Sequence, residues 1–173
     1  VMEQLRDDEF ERYARQIVLE EIGLTGQIRL RQAKVCLVGL GGLGCPTALK
    51  LAGLGVGYIR IVDRAEVSRT DLHRQYLYNV EDVGLPKVEA AADKLSKLNP
   101  DVKIEPLALA LTPSTSHKII EGCDLVIDGL DSLSPRYILN RACIKQKIPY
   151  IFGAAIELRG NLSTIIPHPT ACL

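Results

Sequence analysis

A glycine-rich loop and an acidic residue follow the first two predicted strands. The loop has the pattern GxGxxG, whose glycines are Gly39, Gly41, Gly42 and Gly44. Glycines at such a turn let backbone N–H groups approach phosphate oxygens, and the N-terminus of the following helix favours an anion. Asp63 ends the second strand, where a carboxylate can accept hydrogen bonds from ribose hydroxyls. The arrangement predicts a nucleotide site; glycines that only let a strand and a helix pack closely are the alternative.

Basic residues in the segment after Asp63 bear on the kind of nucleotide. The loop and the acid alone would favour an NAD-dependent oxidoreductase, but such an enzyme does not need Arg69, Arg74 and Lys87 here, whereas a triphosphate does. Lys87 lies in the first turn of a predicted helix, where the macrodipole disfavours a cation unless an anion lies beyond the helix end. A solvated lysine is the alternative for Lys87 taken by itself.

A second acidic residue, Asp131, comes just beyond the fourth predicted strand. The carboxyl ends of parallel strands share one edge of a sheet, so we expect Asp131 on the same edge as the glycine loop. A carboxylate near a triphosphate suits Mg²⁺, which typically takes one or two carboxylates together with phosphate oxygens. An Asx turn is the alternative for Asp131. Asp128, nearer the strand, is expected to be structural.

The elements that must place these residues alternate along the chain. Strands are predicted at residues 33–40, 58–63, 102–107, 123–128, 149–154 and 158–167, and helices at 7–23, 26–32, 41–55, 86–100, 113–121 and 134–147. Ser134 is expected to cap the last helix, with Pro135 at its first position. The alternation predicts an α/β fold: a Rossmann-like, doubly wound, mostly parallel sheet preceded by N-terminal helices, with the last strand antiparallel.

Composition limits the function classes. The chain has 173 residues, 47% of them hydrophobic, with 21 basic and 21 acidic residues, so no overall field favours nucleic acid or a membrane surface. We see no signal peptide and no apolar run long enough to cross a bilayer, and we expect a cytoplasmic location. The five cysteines form no CxxC pair. Cys36, Cys123 and Cys143 are expected to be buried, and Cys45 to pack at the turn rather than act as a nucleophile.

Six motifs in order carry a resemblance to a known family. They are RYARQI, GLGGLGC, DLHRQ, VGLPKVEAA, the D…LDS segment at the end of the fourth predicted strand, and GAAIELRGNL. From about Phe10 onward the sequence resembles the MoeB/ThiF/HesA family, which includes the adenylation domains of ubiquitin-activating enzymes. The resemblance implies ATP- and Mg²⁺-dependent adenylation of the C-terminal glycine of a ubiquitin-like protein, with release of pyrophosphate. It also implies a homodimer, and one adenylation domain over residues 1–173 with a helical segment at 1–33.

The resemblance also implies roles for particular residues. Asp63 would bind the ribose, Arg74 and Lys87 the phosphates, and Asp131 the Mg²⁺ ion. The glycines of the loop, Asp71 and Gln75 would complete the nucleotide contacts. Arg15 would reach across a homodimer interface to the partner's triphosphate, and residues 153–162 would help to receive the Gly-Gly tail of the ubiquitin-like protein.

Three departures from the family pattern qualify this assignment. Asp71 and Ser132 stand where the family usually has asparagine, and an acid at position 71 would repel phosphate unless it binds metal or pairs with Arg69 or Arg74. Cys172 stands where the first ligand of a zinc site would be, so the chain resembles a domain truncated at its C-terminus, and zinc would need further residues. The alternatives are an NAD-dependent oxidoreductase, an inactive partner subunit of an activating enzyme, and adenylation of a carboxylate on a tRNA base.

Overall fold

The structure, a computed structural model, describes residues 4–167 and 170. The strands within these residues are β1 (Lys34–Val38), β2 (Tyr58–Val62), β3 (Lys103–Leu107), β4 (Leu125–Asp128), β5 (Tyr150–Ile156) and β6 (Arg159–Ile165). The α-helices are α1 (Asp7–Ile17), α2 (Gly23–Gln32), α3 (Gly44–Leu54), α4 (Lys87–Leu98), α5 (Ser116–Ile120) and α6 (Leu133–Gln146). The sheet order is β3-β2-β1-β4-β5-β6, with only β6 antiparallel. The predicted fold class is confirmed.

The central strand shows why the apolar segments in this sequence do not alternate with polar residues. Along β1, Val35 and Leu37 belong to a core cluster that includes residues of α3 and α4, whereas Cys36 and Val38 belong to a second cluster that includes residues of α5 and α6. Both faces of the strand are therefore covered by helices, and every residue from 35 to 38 is buried. Each large aliphatic side chain buried in this way stabilises the fold by roughly 1.5–3 kcal/mol.

The N-terminal helices differ from the prediction. Helix α1 ends at Ile17 and α2 begins at Gly23, so the expected boundaries at residues 23 and 26 are wrong. The side-chain amides of Gln16 and Gln27 both donate to the carbonyl of Leu54, at 2.9 and 3.0 Å. Because one carbonyl at the end of α3 fixes both helices, the chain has to turn between them, and Gly23 makes that turn with a φ of +56°.

Other helix starts are also shifted, and α5 begins at Ser116 rather than at residue 113. Helix α3 begins at Gly44 rather than Gly41. Ser132, not Ser134, is the N-cap position of α6, because its backbone is extended (φ −136°, ψ 152°) and helical geometry begins at the next residue. Ser134 and Pro135 therefore lie inside the first turn, which accommodates proline because its N–H groups have no partner within the helix.

The strand order reverses between β1 and β4, the two central strands of the sheet. In open α/β sheets, ligands bind beyond the carboxyl ends of the strands at such a reversal. The loops that follow β1, β2 and β4 contain the glycine pattern, Asp63 and Asp131, so the fold brings these three features to one edge. Within the described part of the chain, no helix is both long enough and apolar enough to cross a membrane.

Candidate functional site

A cleft of about 890 Å³ opens at the carboxyl edge of the sheet. Among the predicted site residues, the cleft is lined by Gly39, Gly41, Gly42, Asp63, Asp71, Arg74, Gln75, Lys87 and Asp131. Arg15 is exposed on α1 and does not line the cleft. Gly44 is buried and does not line it either. Cys172 lies outside the described residues. The structure therefore brings together most of the candidate side chains, which come from separate segments of the sequence.

Gly39 and Gly44 let the backbone pack closely. A Cβ atom on Gly44 would lie 1.9 Å from the carbonyl oxygen of Gly39, and one on Gly39 would lie 2.7 Å from the backbone carbonyl of Gly129. Gly39 also has a φ of +95°, a conformation that favours glycine. At these two positions close packing of the backbone by itself requires glycine, and their contact with a nucleotide stays a prediction. Gly129, which the sequence analysis did not single out, closes the same contact from the β4 side.

Gly41 and Gly42 are different, because they face open space in the cleft. The nearest atoms to a Cβ at these positions are the side chains of Gln75, at 3.7 Å, and Arg74, at 4.0 Å. Close packing of the backbone therefore does not require glycine at either position. What glycine does provide is a bare backbone opposite two polar side chains, as a phosphate-binding loop requires.

Two backbone N–H groups hold the carboxylate of Asp63 at the end of β2. Leu40 donates to Oδ2 and Ala65 to Oδ1, each at 2.8 Å. Asp63 is half-buried and lines the cleft. Because each carboxylate oxygen has a second lone pair, the group can still accept hydrogen bonds from ribose hydroxyls. Its role as the ribose ligand stays a prediction.

Lys87 is not a solvated lysine. Only 7% of the residue is exposed at the N-terminus of α4, and its Nζ atom lies 3.2 Å from Oδ2 of Asp71. An ammonium group placed there needs an anion, because burial and the helix dipole both oppose its charge. In this structure the carboxylate of Asp71 is that anion.

Asp71 is the centre of the polar network in the cleft. Its carboxylate accepts from four donors: the Ser68 backbone N–H at 3.0 Å, the Gln75 amide at 3.0 Å, Arg74 at 3.3 Å and Lys87 at 3.2 Å. Burial opposes ionisation, but the Ser68 hydrogen bond and the two cations outweigh it and lower the pKa of Asp71 below its ordinary value. The pairing with Arg74 that the sequence analysis required of an acid here is present.

The arginines near the cleft are not equivalent. Half of the Arg74 side chain is exposed, and its second guanidinium nitrogen donates to the carbonyl of Thr70 at 2.7 Å. Arg69 is exposed on a short 3₁₀ turn and does not line the cleft. Arg64 does line it, and the sequence analysis missed this residue even though it directly follows the strand-end Asp63.

Asp131 and Asp128 have opposite surroundings. Asp128 is buried, and its oxygens accept from the Leu130 backbone N–H at 2.7 Å, from Arg136 at 2.9 Å and from the Tyr150 hydroxyl. Asp131 is exposed on the cleft wall, and among the described residues no side chain or backbone group hydrogen-bonds to its carboxylate. The prediction that Asp128 is structural fits these contacts, whereas Asp131 is free to bind a cation.

The described residues contain no group of three or more His, Cys, Asp or Glu side chains that could hold a metal ion by themselves. A cation at Asp131 would therefore need other ligands. Mg²⁺ fits this requirement, because it commonly keeps several waters and completes its shell with phosphate oxygens. The single exposed carboxylate of Asp131 therefore fits a Mg²⁺ ion that also binds phosphate.

Arg136 fixes the loop that contains Asp131. It is a buried residue, and its guanidinium donates to the carbonyl of Leu130 at 2.5 Å and to that of Gly153 on β5 at 2.9 Å. The loop is thereby attached to the strand next to it. Sequence reasoning missed Arg136 because an arginine in the first turn of a helix gives no sign of being buried.

The four cysteines within the described residues are packing residues, as predicted. Cys36, Cys45, Cys123 and Cys143 are all buried. The Cys45 thiol donates to the carbonyl of Leu40 at 3.2 Å, and burial raises its pKa. A raised pKa leaves little thiolate at neutral pH, so Cys45 is a poor nucleophile despite its place at a helix N-terminus.

Two other walls of the cleft are apolar. Residues 109–111, which follow β3, form one wall, and residues 154–156 at the end of β5 form another. Aliphatic walls with a few polar groups are typical of sites that bind an organic ligand. Residues 154–156 fall within the segment 153–162 that the resemblance assigns to the tail, whereas sequence reasoning missed the wall at residues 109–111, because the same residue types fill the core and identify no site.

A glycine loop, a strand-end carboxylate, a buried lysine and a half-exposed arginine on one edge of a doubly wound sheet define a nucleotide-binding α/β domain. Comparison of the sequence with family models identifies the family within this class. The model of the ThiF family matches residues 13–173, so the chain belongs to that family.

Named relatives are consistent with this placement. The chain is 46% identical over 164 residues to the adenylyltransferase and sulfurtransferase MOCS3 of Culex quinquefasciatus, covering 95% of this chain and 37% of that protein. It is 40% identical over 159 residues to the SAMP-activating enzyme E1 of Haloferax volcanii, covering 92% of this chain and 59% of that protein. The chain thus spans less than two thirds of the length of these relatives.

A solved structure supports the fold. The E. coli tRNA N6-threonylcarbamoyladenosine dehydratase TcdA, in complex with ATP, matches with a TM-score of 0.79 and 30% sequence identity. The match covers 84% of this chain and 59% of TcdA.

Proposed function

We propose that this chain is the nucleotide-binding part of an enzyme that uses ATP and Mg²⁺ to adenylate the C-terminal glycine of a ubiquitin-like protein. One observation carries the proposal: Asp63, Arg74, Lys87 and Asp131, from four separate segments, line one cleft at the carboxyl edge of the sheet. These side chains supply an acid for the ribose, two cations for the phosphates and an unpaired carboxylate for a metal ion. Relatives named adenylyltransferase and activating enzyme support the reaction class.

The chemistry requires little of the protein beyond placement and charge. An oxygen of the terminal carboxylate attacks the α-phosphorus, a new P–O bond forms, and the bond from the α-phosphorus to the bridging oxygen of pyrophosphate breaks. The nucleophile is already an anion, so no general base is needed. Lys87 and Arg74 neutralise negative charge that accumulates on the phosphates, and Asp63 holds the ribose so that the α-phosphorus faces the incoming carboxylate. A Mg²⁺ ion held by Asp131 would add charge neutralisation at the phosphates.

The ubiquitin-like tail would enter beside β5. Ala154, Ala155 and Ile156 line the cleft at the end of this strand, and the two alanines leave room for a narrow Gly-Gly segment. Residues 153–162, which include the turn into β6, are our proposed docking segment for that tail.

An exchange assay tests the reaction. We expect ATP–pyrophosphate exchange with one or more Gly-Gly-ending ubiquitin-like proteins, and we expect Asp131→Asn to lower its rate by roughly 100-fold, since the variant keeps the shape but loses the charge that holds the metal. Asp93→Asn is the matched control: it removes an exposed surface acid paired with Lys97 and should leave the rate unchanged. ATP binding without exchange in the unsubstituted protein would contradict the proposed activity and favour an inactive partner subunit.

The proposed assembly is a homodimer in which Arg15 of one protomer serves the site of the other. Arg15 is exposed on α1 and does not line the cleft of its own chain, so it can act on a nucleotide only from a neighbouring protomer. The helix that carries it also exposes the apolar Phe10, with Val18 just beyond its end, as expected of a surface that a partner covers.

Mixing two inactive variants tests this assembly. We expect Arg15→Ala and Lys87→Ala each to abolish exchange alone, and their co-expression to restore about a quarter of the sites, because random pairing gives half heterodimers with one complete site each. Activity is measured on the mixed preparation against each variant alone. No recovery, although mixed dimers are isolated, would mean that Arg15 does not act across the interface.

The alternatives have less support. An NAD-dependent oxidoreductase leaves the buried Lys87 and the half-exposed Arg74 without a triphosphate to bind, and the relatives do not favour it. An inactive partner subunit does not need all four of the ligand-binding side chains. The balanced charge of 21 basic and 21 acidic residues disfavours a tRNA substrate. A cytoplasmic location stays our expectation.

A further inference from the structure

The network around Asp71 contains a carboxylate in the place where a site for polyphosphate needs positive charge. Asp71 lines the cleft, yet it already pairs with both cations proposed to bind phosphate: Lys87 at 3.2 Å and Arg74 at 3.3 Å. An entering phosphate must therefore either draw these cations away from Asp71 or share them with it.

Asp71 cannot move aside easily. Only 7% of it is exposed, and the Ser68 backbone N–H and the Gln75 amide hold its two oxygens at 3.0 Å each. Gln75 is itself 2% exposed, and its amide must present nitrogen rather than oxygen to the carboxylate. The negative charge thus stays beside Lys87 and Arg74 when a ligand binds.

The size of the resulting repulsion depends on the charge of the ligand. A fixed unit charge a few ångströms from a phosphate group has an interaction energy large enough to change affinity severalfold, and the effect grows with each negative charge on the ligand. A bound Mg²⁺ ion cancels two of those charges. Asp71 should therefore disfavour a metal-free polyphosphate far more than its magnesium complex.

We propose that Asp71 competes with polyphosphate for Lys87 and Arg74 and thereby makes the site select the magnesium complex over the metal-free form. The proposal deepens the proposed function and rests on it, because it assumes that polyphosphate binds in this cleft. Asp71 acts through the two cations and through its own field, and so it is a positioning and specificity residue.

Calorimetric titration at constant ionic strength tests the proposal with ATP and inorganic tripolyphosphate, each with excess Mg²⁺ and with EDTA. The variant is Asp71→Asn, which keeps the shape of the side chain and loses its charge. We expect it to bind metal-free tripolyphosphate about tenfold tighter than the unsubstituted protein and the magnesium complex only about two- to threefold tighter. The preference for the magnesium complex should thus fall severalfold.

The matched control is Glu89→Gln. Glu89 is exposed on α4, two residues from Lys87, and does not line the cleft. The substitution therefore removes the same formal charge nearby without changing the network around Asp71. We expect this variant to keep the selectivity of the unsubstituted protein. An equal change in both variants would mean that only long-range charge matters, and would overturn the role of Asp71.

Other outcomes also decide the matter. If Asp71 were a metal ligand, Asp71→Asn would weaken the magnesium complex and leave the metal-free form unaffected. If Asp71 only held Lys87 and Arg74 in place, the variant would weaken both forms equally. Either result overturns the selectivity proposal while ATP binding upholds the nucleotide site. Failure of the unsubstituted protein to bind ATP or tripolyphosphate would overturn the proposed function and this inference together.

Discussion

Replacing Lys87 with alanine is expected to lower the rate of ATP–pyrophosphate exchange by about 1,000-fold, the largest loss among single side-chain changes in the cleft. The variant removes a buried cation proposed to neutralise the phosphates, and it leaves Asp71 facing the ligand with one counter-ion fewer. Loss of attraction and gain of repulsion therefore act in the same direction. The measurement is exchange at saturating ubiquitin-like protein over a range of ATP concentrations, so that kcat and KM are separated.

Helix α4 offers a close control for this change. Lys94 lies on the same helix and pairs with the buried Asp82, much as Lys87 pairs with Asp71, but it does not line the cleft. Lys94→Ala should lower thermal stability about as much as Lys87→Ala does, but it should keep the exchange rate within about twofold of that of the unsubstituted protein. Equal loss of exchange in the two variants would show that Lys87 matters only through the stability of the fold.

A second comparison separates the effect of charge from that of contact. In the double variant Asp71→Asn with Lys87→Ala, the repulsion left behind by the single Lys87 change is removed. We expect this variant to recover part of the lost affinity for tripolyphosphate, because the two residues form one ion pair and their effects are not additive. If the double variant bound tripolyphosphate no more tightly than Lys87→Ala, the ion pair would have no role in phosphate binding.

The position of the site could be predicted because it depends only on strand ends. Asp63 and Asp131 each end or follow a predicted strand, and parallel strands bring their carboxyl ends to one edge whatever the details of packing. The doubly wound fold followed in the same way from alternating strand-length and helix-length segments. Predicting these features does not require knowing which residues are in contact.

What the sequence could not show depends on contacts between distant residues. The pairing of Lys87 with Asp71 requires a 3₁₀ turn to pack against the start of α4, and no periodic pattern encodes that contact. The turn between α1 and α2 is set by the carbonyl of Leu54, more than thirty residues farther along the chain. Arg136 was overlooked for the same reason, because its partners are on β4 and β5.

The glycine loop was predicted as one motif, but the structure divides it into two functions. Gly39 and Gly44 are positions where a side chain would collide with backbone, whereas Gly41 and Gly42 face side chains at 3.7 and 4.0 Å. The pattern GxGxxG contains no information about this division, because it depends on how closely the loop approaches the strand end at Gly129. Substitutions at the two kinds of position should therefore fail in different ways.

Gly44→Ala is expected to destabilise the protein by at least about 3 kcal/mol, or to prevent folding, because its Cβ would lie 1.9 Å from the carbonyl oxygen of Gly39. That oxygen belongs to the backbone at the end of β1, so relief of the clash would require α3 and the central strand to move apart. Denaturant unfolding measured by circular dichroism gives the free energy of unfolding, and the amount of folded protein recovered gives a second reading if the variant is too unstable for titration.

The same helix contains the control for this prediction. A Cβ on Gly53, near the exposed end of α3, would meet no atom within 4 Å apart from its helix and chain neighbours. Gly53→Ala should therefore stabilise the protein by about 0.5–1 kcal/mol, since alanine loses less backbone entropy than glycine when a helix forms. Opposite signs for one chemical change at two positions of one helix would show that close approach, rather than helix propensity, requires glycine at position 44. A Gly44→Ala variant as stable as the unsubstituted protein would mean that α3 is not packed against the end of β1 as this structure has it.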